Sequence, residues 1–140
     1  TGRDFNVYAL LGDGELHEGQ VWEAAAAAGH YGVGNLVAIV DRNGYCLDGK
    51  VDDIIAIEPL ADRWRAFGWD VAEVDGHDVP ALLETLLRIR DGARDRPTAV
   101  IAHTVKGKGV SFMERDFGWH LGWLAEQDEA AVIRELKDEK

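Results

Sequence analysis

Cysteine is nearly missing from this 140-residue chain: Cys46 stands alone, so no internal disulfide can form, and a reducing, cytoplasmic setting is the expectation. Basic residues are short as well, with 15 Lys and Arg against 26 Asp and Glu, for a net charge of −11. That deficit argues against nonspecific binding to nucleic acid or to an anionic membrane, since both need positive surface. No signal peptide is expected from the opening residues, and no apolar run is long enough to cross a bilayer. The five histidines show no zinc-type spacing with Cys46. Internal repeats, low-complexity stretches and linkers are also lacking. What remains is an ordinary globular composition: hydrophobic residues make up 46%, enough for a sizeable core, and the length suits one domain spanning 1–140.

The apolar segments fall into an alternating order. Phe5–Leu11 reads as a buried strand stopped by Gly12. Glu18–Tyr31 reads as a helix with strong propensity from Ala24–Ala28, ended by Gly29, Gly32 and Gly34. Leu36–Val40 is a second buried strand, followed by a Gly- and Asp-rich loop to about Asp53. A short helix is expected over Glu58–Phe67, with Leu60, Trp64 and Phe67 on one side, then a third strand over Asp70–Val74. Asp78 suits an N-cap and Pro80 the first turn of a helix whose apolar face is Val79, Leu82, Leu83, Leu86 and Leu87. Thr98–Val105 is a fourth strand, Lys106–Gly109 a loop, and the charged tail from about Gln127 to Lys140 a helix. Alternation of this kind predicts a parallel sheet with helices on both faces. Thr1–Asp4 leads almost at once into the first strand. A domain boundary or a processed, split or truncated gene product would each give such a start.

Two turns carry the chemistry. Gly12-Asp13-Gly14 closes the first strand and Asp41-Arg42-Asn43-Gly44 closes the second, with Asp13 and Asn43 30 positions apart. That is room for one strand-helix-strand unit, which brings both side chains to the ligand-binding edge of a parallel sheet. A carboxylate and a carboxamide there suit a hard cation such as magnesium carrying a phosphorylated ligand, with the Tyr45 backbone carbonyl as a further donor. Gly12 and Gly14 let the backbone approach a phosphate and aim N–H groups at it, and the following helix N-terminus favours an anion. Either motif alone is ordinary turn chemistry; the pairing across a helix is what points to a site.

With those residues in place, the sequence resembles the thiamine diphosphate enzymes, whose fingerprint is Gly-Asp-Gly, a helix, and an asparagine about thirty residues on. The stretch GDGELHEGQVWEAAAAAGHYGVGNLVAIVDRNGYCLDG is similar to the transketolase branch, and TVKGKGVSFMERDFGWH to the end of the same domain in separately encoded N-terminal subunits of two-gene transketolases. The likeness runs from about Phe5 to His120. It implies the family's α/β cofactor-binding fold, thiamine diphosphate with Mg2+ (or Ca2+ or Mn2+), and transfer of a two-carbon ketol unit from a ketose phosphate to an aldose. Asp13, Asn43 and the Tyr45 carbonyl match the metal ligands; Gly12, Gly14 and Glu15 match the loop over the diphosphate. Glu18, with Glu23 as a candidate companion, matches a glutamate at the subunit interface that links the two cofactor sites. His120 matches a histidine near the diphosphate and the reacting end of the substrate, although the family's Trp-His-Gly reads Trp119-His120-Leu121-Gly122 here.

The family's cofactor domain begins well before its Gly-Asp-Gly strand, so the chain resembles the C-terminal part of that domain. No residue matches the glutamate that activates the aminopyrimidine end of the cofactor. The resemblance therefore implies a hetero-oligomer with a pyrimidine-binding C-terminal partner, and leaves room for an upstream N-terminal fragment as well. A deoxyxylulose-phosphate synthase, the first component of a 2-oxoacid dehydrogenase, or a non-catalytic scaffold are the alternatives. Of the remaining candidates, His103 and His77 are read as strand-end and capping groups, and His17 and His30 as surface or interface groups. Lys106 and Lys108 could meet a phosphate or be a solvated turn. Phe112, Phe117, Trp119 and Trp123 form an aromatic stretch suited to a lid or a partner-covered surface.

Overall fold

A computed structural model describes residues 5–92 and 95–138. Four parallel strands, β1 (Val7–Gly12), β2 (Leu36–Arg42), β5 (Asp70–Asp75) and β6 (Thr98–His103), form one sheet in the order β1-β2-β6-β5. Helices α1 (Gly19–His30), α3 (Leu60–Ala66) and α4 (Val79–Asp91) connect them, and α5 (Glu126–Asp138) ends the described chain. The sheet with helices on both faces is therefore as the sequence predicts. Thr1–Asp4 and the last two residues of the expected tail helix lie outside the described residues.

Strand periodicity divides the core into two. On β2, Ala38 and Val40 face a cluster with Ala25 and Ala28 of α1 and Leu60 and Trp64 of α3, while Val37 and Ile39 face the opposite cluster under α4. On β6, Ala99 and Ile101 join the first cluster, and Val100 and Ala102 the second. Both central strands are apolar on both faces, as a covered parallel sheet requires. Each fully buried Val, Leu or Ile stabilises the chain by about 1.5–3 kcal/mol. Alanine lets α1 lie close to the sheet, and the Trp69 indole N–H fixes its position by donating to the Ala25 carbonyl at 2.8 Å. Gly29 is the tightest point: a Cβ there would fall 1.8 Å from the Phe67 carbonyl oxygen.

Several expectations need correction. The first strand is not buried: β1 is the edge of the sheet, and Leu10 is 72% exposed with Val7 and Tyr8 also open. The α4 stripe is split, because Leu82 and Leu86 pack on the sheet while Val79, Leu83 and Leu87 face outward. The helix after Gly-Asp-Gly runs as expected, with Glu18 and Tyr31 at its two ends, and a 3-10 turn over Gly14–His17 precedes it. The loop after Asp41 contains a small hairpin, β3 (Tyr45–Cys46) with β4 (Gly49–Lys50), and a helical turn α2 (Val51–Ile54). The Asp78 cap forms as expected, accepting from the Ala81 N–H at 3.0 Å. Among the described residues no helix is long and apolar enough to cross a membrane.

Helix α5 is docked by Glu135, which accepts from the Ser111 N–H at 2.6 Å and from its hydroxyl at 2.9 Å. These bonds hold the Glu135 carboxyl below its ordinary range. A depressed carboxyl stabilises the folded chain above its unfolded value, and that contribution is lost as pH falls through the lowered folded value. Limited proteolysis should therefore release α5 below about pH 4 before the sheet unfolds, and Glu135→Gln should release it at neutral pH; protection unchanged in both would contradict the docking. Gly29→Ala should cost about 3 kcal/mol in urea unfolding, because backbone must shift; an unchanged midpoint would show that the α1 approach is looser than described.

Candidate functional site

Parallel strands place all their carboxyl ends at one edge, and the two sequence motifs meet there. The Asp13 N–H donates to the Asp41 carbonyl at 3.2 Å, extending the β1–β2 pairing by one residue and tying the two turns together. Asp13 is fully buried. Its Oδ1 accepts from the Gly14 N–H at 2.9 Å, and its Oδ2 accepts from the Gly44 N–H at 2.6 Å and from Arg42 Nη1 at 3.0 Å. Burial pushes the Asp13 carboxyl above its ordinary range, opposed by these N–H groups and the guanidinium.

Asn43 is oriented from below. Its amide Nδ2 donates to Asp41 Oδ2 at 3.1 Å, and Asp41 Oδ1 accepts the Thr104 hydroxyl. A carboxylate can only accept, so Asp41 requires the NH2 side of the carboxamide and turns the oxygen the other way. That oxygen accepts the Tyr45 N–H at 2.9 Å. The carboxamide is thus set by Asp41 on β2 and, through it, by Thr104 beyond β6.

A cleft of about 660 Å³ opens at this edge. Gly12, Gly14, Glu15, Asn43, Tyr45 and His120 line it, together with Glu18. These seven expected site residues therefore face one space, and Asp13 joins it through Gly14 and Gly44. Details differ from expectation. Gly14 is required by a neighbour, since a Cβ there would sit 2.4 Å from Cys46 Cβ. Cys46 is thus a packing residue of the site rather than a bystander. Gly12 has open space instead, and its N–H donates to Glu15 Oε2 at 3.1 Å. The Glu15 side chain thus covers the Gly12 N–H, one of the groups expected to meet a phosphate. Glu18 caps α1 from an extended backbone and accepts from Gln20 at 2.5 Å, whereas Glu23 is exposed on the helix outside the cleft.

His120 lies in a 3-10 turn (Phe117–His120) whose Trp119 indole donates to the Phe112 carbonyl at 3.1 Å, so part of the aromatic stretch serves to hold this turn. Lys106 Nζ lies 3.4 Å from His120 Nδ1 in the cleft, while Lys108 is 3.6 Å from Glu114. The two loop lysines thus separate, and only Lys106 lines the cleft. His77 Nε2 accepts from the Val105 N–H at 2.7 Å, a structural tie to the segment after β6 rather than a helix cap, and His103, at the end of β6, pairs with Glu73 at 3.0 Å. His17 contacts the Ile55 carbonyl at 2.9 Å.

Sequence reasoning missed Arg42, Asp41 and Thr104. Arg42 is 12% exposed and reaches, besides Asp13, Glu58 Oε1 through Nε and Nη2 (3.1 and 3.0 Å) and Asp52 Oδ2 through Nη2 (3.1 Å). A cation set inside the acidic stretch 41–58 was the available signal.

Comparison with known proteins agrees with this geometry. Residues 2–137 match the family model described as transketolase, thiamine diphosphate binding domain. The chain is 45% identical over 136 residues to one of the subunits of the apulose-4-phosphate transketolase of Phocaeicola vulgatus, covering 96% of this chain and 48% of that protein. It is 39% identical over 133 residues to the 6-deoxy-6-sulfo-D-fructose transketolase subunit SqwG of Clostridium sp., covering 95% and 48%. The chain thus spans about half the length of these curated relatives. Among solved structures, a Pichia stipitis transketolase in complex with sedoheptulose 7-phosphate superposes with a TM-score of 0.83 at 32% identity, over 97% of this chain and 19% of that one. The transketolase of Campylobacter jejuni gives 0.81 at 29% identity, over 97% and 20%. Motif, sheet edge and comparison converge: the chain belongs to the family of transketolase thiamine diphosphate-binding domains.

Proposed function

We propose that this chain is the diphosphate- and magnesium-holding part of a transketolase-like enzyme that moves a two-carbon ketol unit from a ketose phosphate to an aldose, and that it acts only within a hetero-oligomer. The observation that carries this reading is the convergence of Gly12, Gly14, Glu15, Asn43, Tyr45 and His120 on one cleft, with Asp13 linked to it through Gly14 and Gly44. In this reading Asp13, Asn43 and the Tyr45 carbonyl hold the metal. The donor chemistry fits: all three offer oxygen, as a hard cation demands. Asp13 Oδ1 and Asn43 Oδ1 each accept a single protein hydrogen bond and keep a lone pair. Among the described residues no three His, Cys, Asp or Glu side chains gather as a metal cluster, so the rest of the shell falls to the diphosphate and water. Manganese or calcium would be accepted by the same oxygens.

Bound thiamine diphosphate supplies the electron sink for carbon–carbon cleavage. The chain's own residues bind and orient. Glu15 turns away to free the Gly12 N–H for a phosphate oxygen. Lys106 and His120 place positive charge and a hydrogen-bonding imidazole at the mouth of the cleft, where a substrate hydroxyl or phosphate would lie. Glu18, at the start of α1, meets the partner. The whole chain, 1–140, is then one unit, the C-terminal part of a cofactor domain, working in a reducing cytoplasm that suits the lone Cys46. The transketolase relatives favour ketol transfer over the other thiamine diphosphate reactions.

Partner dependence has its own support. Among the described residues, β1 carries apolar side chains on both faces and leaves one edge unpaired, with Val7, Tyr8 and Leu10 open. An interior-type strand at an edge is a surface to be covered. The relatives' additional length and the pyrimidine-binding partner are the polypeptide that would cover it.

Two outcomes test the proposal. Asn43→Ala should weaken magnesium-dependent thiamine diphosphate binding by about 10–100-fold in calorimetry of the assembled enzyme; unchanged affinity would remove Asn43 from the site. Leu10→Glu should change folding stability by no more than about 0.5 kcal/mol yet abolish co-sedimentation with the partner chain; intact assembly would show that β1 stays uncovered.

A further inference from the structure

A fully buried carboxylate is costly unless a counter-charge reaches it. Asp13 has one, but its source is unexpected: Arg42, from the same turn that delivers Asn43. The guanidinium is itself nearly buried, at 12% exposure, and is held from the far side by Glu58 and Asp52, which are about half exposed. Four of its five N–H donors are engaged, with Nη1 on Asp13 and Nε and Nη2 on the two outer carboxylates. The outer pair belongs to α2 and the segment just before α3, so the arrangement links the site to residues 52–58.

We propose that Arg42 is a positioning residue that serves as the resident counter-charge of Asp13, holding Oδ2 so that Oδ1 alone is presented to an incoming divalent cation. The inference rests on Asp13 being a metal ligand. Arg42 does three things in this arrangement. It neutralises Asp13 before any metal arrives, so the turn is formed in advance. It fixes the carboxylate rotamer together with the Gly44 N–H, restricting it to one-oxygen ligation. Through Asp52 and Glu58 it anchors residues 52–58 beneath the site. Three carboxylates around one guanidinium leave the cluster with net negative charge, so a nearby divalent cation remains electrostatically acceptable.

The prediction is a trade between internal and external cation. With Arg42→Met, the full chain in its native assembly should melt roughly 10 °C lower in the absence of divalent metal. Mn2+ alone, with no cofactor, should restore most of that loss, so its stabilising shift is larger in the variant than in the wild type. Arg42→Lys keeps a charge but loses the fork, and should fall between the two. Should Arg42→Met fail to fold, the double variant Asp52→Asn, Glu58→Gln, altered only at its outer half-exposed ends, tests the cluster instead. With Asp52 and Glu58 neutral, the cluster loses the net negative charge that admits a divalent cation while Arg42 stays on Asp13, so this variant should show a smaller Mn2+ shift than the wild type, and an equal or larger shift would overturn the inference. Arg42→Met melting low and gaining no more from Mn2+ than the wild type does would make Arg42 a mere packing group and overturn the inference. A wild type that responds to Mn2+ while Arg42→Met responds no more strongly leaves the functional reading standing and removes this one. Failure of every form to respond to Mn2+ removes both.

Discussion

The buried Asp13 carboxylate is the constraint around which this chain is organised. It lies one residue beyond β1, and its partners come from its own turn, through Gly14, and from the turn after β2, through Gly44 and Arg42. Leaving such a group unpaired would cost several kcal/mol, so the two turns cannot separate while the chain stays folded. Everything proposed for the site depends on that tie. It places Asn43 and Tyr45 against the Gly12–Glu15 turn.

Around this tie the sheet acts as a ruler. Parallel registry puts Gly12 beside Asp41 and Arg42 beside His103, so three strands deliver their last residues to one edge. Thr104, just past β6, can then hold Asp41, and Asp41 can orient Asn43. The rigid elements set position while side chains from adjacent strands set orientation. This is the usual division of labour at the carboxyl ends of open α/β sheets.

How far the sequence could be read follows from the range of each interaction. The Gly-Asp-Gly and Asp-Arg-Asn-Gly turns were legible because strand, turn and helix signals are local. The alternation of Val37, Ala38, Ile39 and Val40 between two cores follows directly from strand periodicity. The bonds of Arg42 were not legible, because they need residues 52 and 58 to return to the site through a hairpin and a helical turn that carry weak local signals. The exposure of Leu10 was hidden for another reason: its strand has an interior-type sequence, and residue pattern does not say which strand ends the sheet. The split stripe of α4 shows the same limit, since spacing reports an apolar face but not how much of it a neighbour covers. Gly14 has a steric requirement that the sequence did not show, since a Cβ there would meet Cys46 Cβ, a residue brought in by the hairpin.

The most direct test is a crystal of the assembled enzyme grown with manganese and thiamine diphosphate, with anomalous scattering recorded from the metal. The account predicts one manganese peak within ligand distance of Asp13 Oδ1, Asn43 Oδ1 and the Tyr45 carbonyl, beside the diphosphate, with Arg42 still on Asp13 Oδ2. Cofactor bound with manganese elsewhere, or bound away from the Gly12–Glu15 turn, would contradict it.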